Sequence, residues 1–311
     1  MRVFVTGACG QLGHDLVREL VSRGAEVVGS DIKPECEMPD GARYVRTDIT
    51  DRAAVRKTLT ETHPEAVIHC AAWTAVDAAE QEENRERVRR INAGGTRNLA
   101  EAVAAIGTKM MYLSTDYVFD GQGTAPWQPE CRAFAPLNVY GRTKLEGEQA
   151  VREALDKYFI VRIAWVFGEY GQNFVRTMLR VGRGRESVTV VDDQIGTPTY
   201  TKDLSVLLAD MIATDRYGVY HATNSEEPEG AYISWADFAE EIYRAAGYPT
   251  RVDRVTTAEY GKSLAKRPLN SRLDKRKLRE NGFAPLPSWK DAVRRYVGAL
   301  APEEKQWDRS K

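Results

Sequence analysis

The sequence has no apolar run approaching the roughly 18 residues of a membrane-spanning helix. It also lacks a basic excess. Its 44 Lys+Arg against 45 Asp+Glu leave a net charge of -1, which argues against a protein whose main task is gripping nucleic acid. Cysteine is sparse: Cys9, Cys36, Cys70 and Cys131 form no C-x-x-C pair and are too few for a disulfide scaffold, so reduced thiols are expected. The histidines His14, His63, His69 and His221 show no H-E-x-x-H spacing, and they point to no metal site. The opening MRVFVTGACG carries too short an apolar stretch for a secretory signal. No membrane association and a cytoplasmic location are therefore expected. What remains is the composition of a soluble globular chain, 42% hydrophobic and 29% charged over 311 residues.

Short apolar runs alternate with helix-length amphipathic stretches over the first 167 residues. The runs are Arg2–Val5, Glu26–Gly29, Arg43–Val45, Ala66–Ala72, Lys109–Leu113 and Phe159–Val166. Between them lie Gln11–Arg23, Asp51–Thr62, Arg85–Ile106 and Val139–Leu155. Nearly continuous β-branched runs fit parallel strands covered on both faces. The alternation predicts an α/β, doubly wound parallel Rossmann sheet, with its ligand crevice at the carboxyl ends of the strands. Glycines after Val166 break this rhythm, and a smaller C-terminal substrate lobe is expected. The predicted division is a dinucleotide-binding domain over 1–167 with a return segment near 201–223, a substrate lobe mainly over 168–301, and a frayed tail over 302–311. Within the lobe, Ser234 followed by Asp237 comes close to a capping box.

The run Thr6-Gly7-Ala8-Cys9-Gly10-Gln11-Leu12-Gly13 follows the first predicted strand and opens the first predicted helix. Glycines at Gly7, Gly10 and Gly13 suit a tight turn, close approach of backbone to a pyrophosphate, and close helix–strand packing. The helix N-terminus supplies free N–H groups for the phosphates. Asp31 closes the second strand, where a carboxylate can bond ribose hydroxyls and repel a 2′-phosphate; a strand-end Asp opening a turn is the plainer reading. Asp48 and Ile49 end the third strand and could flank the adenine, or Asp48 could merely cap the following helix. Cys9 reads as a small loop filler.

Tyr140 and Lys144 stand four apart, on one helical face. The spacing recurs by chance, so its position carries the weight: the helix follows a strand that ends in Leu113-Ser114-Thr115-Asp116. A phenol is a poor acid–base group at neutral pH until a nearby ammonium favours its anion. Lys144 could supply that charge, Thr115 could orient a carbonyl, and Tyr140 could protonate its oxygen as hydride arrives from a nicotinamide. The plainer reading is a buried Tyr on a helix whose Lys is solvated.

In order and spacing, TGxxGxxG, the strand-end Ser/Thr and YxxxK resemble the extended short-chain dehydrogenase/reductases. Finer motifs resemble the dTDP-4-dehydrorhamnose reductase branch of that family: TGACGQLG at 6–13, CAAWTAVDAAE at 70–80, STDYVFDG at 114–121, PLNVYGRTK at 136–144, RIAWVFG at 162–168, DQIGTPTYTKDL at 193–204 and RPLNSRLDKRKL at 267–278. The resemblance implies Thr115, Tyr140 and Lys144 as the catalytic set. It implies a cofactor, NADPH or NADH, lined by Gly7, Gly10, Gln11, Leu12, Gly13, Asp31, Asp48, Ile49, Ala71, Ala72, Trp73, Thr74, Leu113, Tyr140 and Lys144. Thr115, Asp116, Trp165 and Arg267 would contact a dTDP-sugar, and a guanidinium suits a diphosphate. Asn92 matches the Asn that supports the active-site helix. The activity implied is reduction of the C4 ketone of dTDP-4-dehydro-β-L-rhamnose to dTDP-β-L-rhamnose. Reductases of other 4-keto-deoxysugar nucleotides, and a regulatory subunit like the β subunit of methionine adenosyltransferase, share the pattern. Some relatives carry Mg²⁺ at a homodimer contact, with ligands that map to no named position here. His69-Cys70-Ala71-Ala72 and Trp73 depart from the usual Asn-Ala-Ala-Ala-Tyr/His, which would alter cofactor contacts.

Overall fold

The computed structural model describes residues 1–227 and 231–305. Its main sheet holds β1 (Arg2–Thr6), β2 (Glu26–Asp31), β3 (Ala42–Arg46), β4 (Ala66–His69), β5 (Lys109–Thr115), β6 (Tyr158–Ile163) and a seventh strand, Gly218–His221. Their spatial order is Gly218–His221, β6, β5, β4, β1, β2, β3, and every neighbouring pair is parallel. The strand order reverses between β1 and β4, so a crevice opens there at the carboxyl ends.

Helices cover both faces, as continuous apolar strands require. They are α1 (Gln11–Ser22), α2 (Arg52–Thr62), α3 (Val76–Ala79), α4 (Glu82–Arg89), α5 (Thr96–Ile106) and α6 (Val139–Ala154). One core joins Leu12, Leu16 and Leu20 of α1 to Leu204, Leu208 and Ile212 of the helix Thr201–Ile212. The other joins Val55 and Leu59 of α2 to Leu99 and Val103 of α5 and Val151 of α6. The sequence suggested one helix over Arg85–Ile106; instead a π-helical turn, Arg90–Gly95, separates α4 from α5. Such turns concentrate at functional sites, and Asn92 lies within this one. Two predicted strands are shorter than their apolar runs. β4 ends at His69, leaving Cys70–Ala72 beyond the sheet, and β6 ends at Ile163, before Trp165 turns to φ 51°.

The smaller lobe packs Phe167, Val175, Leu179, Phe238, Ile242, Trp289 and Tyr296 into a separate core. A parallel pair, Ser187–Val191 with Arg251–Val255, lies against it. The second of these strands (RVDRV) was not predicted, because its largely exposed residues carry no alternating pattern. Residues Pro302–Lys305 are helical rather than frayed: Lys305 Nζ donates to the carbonyls of Val297 at 3.3 Å and Gly298 at 3.1 Å, and these bonds hold the turn. The rest of the predicted tail, 306–311, lies outside the described residues.

Ser234 and Asp237 form a complete capping box on the helix Trp235–Ala246. The Asp237 N–H donates to Ser234 Oγ at 3.0 Å and the Ser234 N–H donates to Asp237 Oδ2 at 2.8 Å. Ser234→Ala is expected to lower unfolding stability by about 1–2 kcal/mol, measured by denaturant titration with the m-value unchanged.

Candidate active site

At the crevice, Gly7 adopts φ 69°, which L side chains rarely tolerate. A Cβ on Gly13 would fall 2.0 Å from the Gly7 carbonyl oxygen, so only glycine lets α1 start this close to the loop. Gly10 caps α1 with extended backbone. Gln11, Leu12 and Gly13 form its first turn, and their N–H groups, which have no partner within the helix, suit a pyrophosphate. Gln11 Oε1 accepts a bond from Asn173 Nδ2 at 3.0 Å, tying the loop to the smaller lobe. Asp31 accepts from the Cys9 N–H and the Lys33 N–H, both at 3.3 Å, so its carboxylate serves the glycine loop and the turn together.

Asp48 is not the cap of α2. Its Oδ1 accepts from the Thr50 N–H and hydroxyl at 2.8 Å, and Asp51 caps the helix instead. Ile49 is buried and packs where a Cβ on Gly95 would clash at 2.7 Å. Ala71 abuts Gly7. Asn92 holds the 71–74 segment, since its Oδ1 accepts from the Trp73 N–H at 2.8 Å and its Nδ2 donates to the Trp73 carbonyl at 3.1 Å. Ala72 is half-buried and Thr74 exposed beside it. The thiol expectation needs correcting: Cys9 and Cys36 are disulfide-bonded. The loop after β2 folds back against the glycine loop, a proximity that two cysteines far apart in sequence do not reveal.

Thr115 ends β5, and Asp116 begins the turn Asp116–Val118. Thr115 Oγ1 donates to Asp116 Oδ1 at 2.9 Å. Asn138 caps α6 by accepting from the Gly141 N–H at 2.8 Å, and Glu80 Oε1 accepts from the Val139 N–H at 2.6 Å. These two bonds set the first turn of α6 and with it Tyr140. Its ring stands edge-on to Tyr117, 5.7 Å between centroids. Burial pushes the Tyr140 phenol well above its usual pKa; the Asp116 carboxylate adds to this and a hydrogen bond with Thr115 opposes it. Burial likewise raises Asp116 to about 6, against hydrogen bonds from Ser271 and Thr115.

The sequence suggested that Lys144 acidifies the phenol. In the structure Lys144 Nζ donates to the Leu113 carbonyl at 2.6 Å and lies 4.2 Å from the Tyr112 ring centre. Burial lowers it to about 7, with Glu148 and Cys70 pulling the other way.

Trp165 carries its positive φ with its ring stacked on Trp235, 3.9 Å between centroids. Arg267 donates to Asp77 Oδ2 at 2.6 Å and to the Tyr117 hydroxyl at 3.3 Å, so its guanidinium already has an anionic partner. Tyr117 thus links Arg267 to Tyr140. Sequence reasoning passed over Asp77, Tyr117, Glu80 and Glu148. Glu148 alone had a usable signal, one turn beyond Lys144 on the same helix face. Among the described residues no group of three or more His, Cys, Asp or Glu side chains could hold a metal ion.

The family described as the RmlD substrate binding domain matches residues 1–301. The chain belongs to this family. Among its relatives, a dTDP-4-dehydrorhamnose reductase of Streptomyces griseus is 42% identical, the match covering 96% of this chain and 94% of the relative. A dTDP-4-keto-6-deoxy-D-glucose reductase of Streptomyces niveus is 37% identical, covering 97% and 99%. A crystal structure of a dTDP-4-dehydrorhamnose reductase from Bacillus anthracis in complex with NADP superposes with a TM-score of 0.86 at 41% identity, covering 96% of this chain and 99% of that one. An RmlD-family member on a doubly wound sheet thus carries Thr115, Asp116, Tyr140 and Lys144 at the carboxyl end of β5.

A folded carboxyl raised from 3.8 to about 6 binds its proton more tightly than in the unfolded chain. Its contribution to stability is present at low pH and lost as pH rises through about 6. Asp116→Asn should therefore be more stable than wild type at pH 8 by roughly 2–3 kcal/mol, with the difference closing at about pH 4 and below. Denaturant titrations across pH test this.

Proposed function

We propose that this chain reduces the C4 ketone of dTDP-4-dehydro-β-L-rhamnose to dTDP-β-L-rhamnose, using NADH or NADPH. The observation that carries the reading is Tyr140, half-buried beside Thr115 at the carboxyl end of β5 with its phenol held in the protonated form. An alkoxide is more basic than such a phenolate, so the phenol keeps its proton until negative charge develops on the sugar oxygen. This suits a proton donor in reduction. The glycine loop, the free N–H groups of α1 and the Asp31 carboxylate fit a dinucleotide; when bound, the nicotinamide supplies the hydride.

Tyr140 would protonate the C4 oxygen. Thr115 would hold that oxygen through its hydroxyl, releasing its bond to Asp116. Lys144, lowered to about 7, would return a proton to the phenol. Gly7, Gly10, Gln11, Leu12 and Gly13 would take the pyrophosphate, with Asp31, Asp48 and Ile49 at the adenosine end. Ala71, Ala72, Trp73, Thr74 and Leu113 would lie along the nicotinamide half. Asp116, Trp165 and Arg267 would contact the sugar nucleotide, and Arg267 would share its charge between Asp77 and the diphosphate. Residues 1–167 with 201–223 would hold the cofactor, and 168–301 would close the sugar pocket over Thr115, Asp116 and Trp165. The reaction would run in the cytoplasm.

A second reading keeps the site and changes the sugar. It is favoured by the similarity to the Streptomyces niveus protein, whose name specifies a different 4-keto sugar.

The test is oxidation of reduced cofactor, followed at 340 nm with dTDP-4-dehydrorhamnose and with other dTDP-4-keto sugars, comparing NADH and NADPH. dTDP-rhamnose as product supports the first reading; strong preference for another keto sugar supports the second. Tyr140→Phe is expected to retain cofactor binding and lose turnover by about 10²–10⁴-fold. Unchanged turnover would overturn the assignment.

A further inference from the structure

Behind Lys144 lies a charged cluster that the proposed reaction does not use. Glu148, one turn on along α6, is fully buried. Its Oε1 accepts from Arg162 Nε at 2.8 Å and from Ser114 Oγ at 2.7 Å, and its Oε2 accepts from Arg162 Nη2 at 2.8 Å and Arg152 Nη2 at 3.2 Å. Arg162 is equally buried, and its Nη1 donates to the Pro129 carbonyl at 3.4 Å and to His221 Nε2 at 3.3 Å. His221 Nδ1 in turn bonds the Trp127 carbonyl at 3.0 Å, which fixes a neutral ring with its proton on Nδ1. One carboxylate thus joins α6, β5 and β6, and through Arg162 reaches the strand Gly218–His221.

Stability is a weak reason for such a cluster. A buried ion pair roughly offsets its own desolvation, and apolar replacements of similar volume are often as stable. Its placement is more telling. Ser114 sits between Leu113, whose carbonyl accepts from Lys144, and Thr115. Arg162 lies just before Trp165 on the same chain segment. Through Ser114, Glu148 thus bonds the strand end that carries both the Lys144 acceptor and Thr115.

We infer that Glu148, clamped by Arg162 and Ser114, is a positioning residue for the reduction: it locks α6 against the end of β5 and keeps Lys144 charged behind Tyr140. This rests on the reading of the site as a reductase. The groups facing Lys144 are few. Tyr140 and Glu148 share its helix, Tyr112 faces it from β5, and His69 and Cys70 face it from the end of β4. Burial, followed by the Lys144 charge, holds His69 at about 3 and therefore neutral, and burial raises the Cys70 thiol to about 12. Glu148 is then the neighbouring anion that favours the Lys144 ammonium. Without it, Lys144 loses its proton at lower pH.

Glu148→Gln alone would strand a buried guanidinium, so the first test is the paired variant E148M/R162M. Arg162 lies 5.0 Å from the Phe119 ring and 5.1 Å from the Phe134 ring, a lining that Met can fill. Thermal unfolding, cofactor affinity and the pH profile of kcat are measured beside wild type. The paired variant is expected to hold its cofactor within about threefold while kcat falls by about ten- to a hundredfold. Arg162 leaves together with the nearer anion, so the alkaline limb of its profile is expected to move down by less than about one pH unit. Ser114→Ala, a mild cut to one arm of the clamp, should lower kcat a few-fold and leave the limb in place. Wild-type kcat with an unmoved limb in the paired variant overturns the inference. If that variant does not fold, Ser114→Ala decides: a fall in kcat supports the clamp and wild-type kcat overturns it. Absence of turnover in the wild type, with every keto sugar tried, would instead contradict the reductase reading itself.

Discussion

The close approach of α6 to the end of β5 is the contact on which the rest of the site depends. Two glycines permit it. A Cβ on Gly141 would fall 2.3 Å from the Tyr117 carbonyl oxygen, and one on Gly147 would fall 2.3 Å from the Tyr112 hydroxyl. With those side chains missing, Lys144 Nζ reaches the Leu113 carbonyl at 2.6 Å and Tyr140 meets Tyr117 and Thr115. The helix is also held at its start, by Asn138 and Glu80, so the phenol is placed by backbone bonds rather than by packing alone.

That proximity creates the chemistry by excluding water. Burial is the leading cause of three shifts here: Tyr140 rises, Asp116 rises to about 6 and Lys144 falls to about 7. All three move toward the neutral form, as desolvation dictates. Perturbed groups gathered at a strand's carboxyl end mark a functional site more firmly than any one shift. The cost in stability is offset by the two apolar cores that flank the sheet, where Leu16, Val3 and Leu208 lie on one face and Phe4, Leu59 and Val103 on the other.

The sheet was legible because its strands are continuous apolar runs and its helices carry a clear period. The glycine loop was legible because strand, loop and helix follow one another at the start of the chain. Irregular backbone was not. The π turn at Arg90–Gly95 sits inside an unbroken helical pattern, and Arg251–Val255 is too exposed to alternate. In the site, Thr115, Tyr140 and Lys144 could be named from order and spacing, but contacts in and around the site join residues far apart in the chain: Glu80 with Val139, Asp77 with Arg267, Cys36 with Cys9. The acceptor of Lys144 was hidden for a related reason. Spacing places it on the same helix face as Tyr140, while the carbonyl that accepts from its amine belongs to a strand 31 residues earlier.

The proposed reaction moves hydride from nicotinamide to C4 of a keto sugar while Tyr140 protonates its oxygen. It is tested most directly by turnover with nicotinamide cofactor deuterated at the transferable position, and NMR of the isolated product. A single deuterium at C4, in one configuration, is the result this account requires. A product without deuterium, or with deuterium at another carbon, would contradict it.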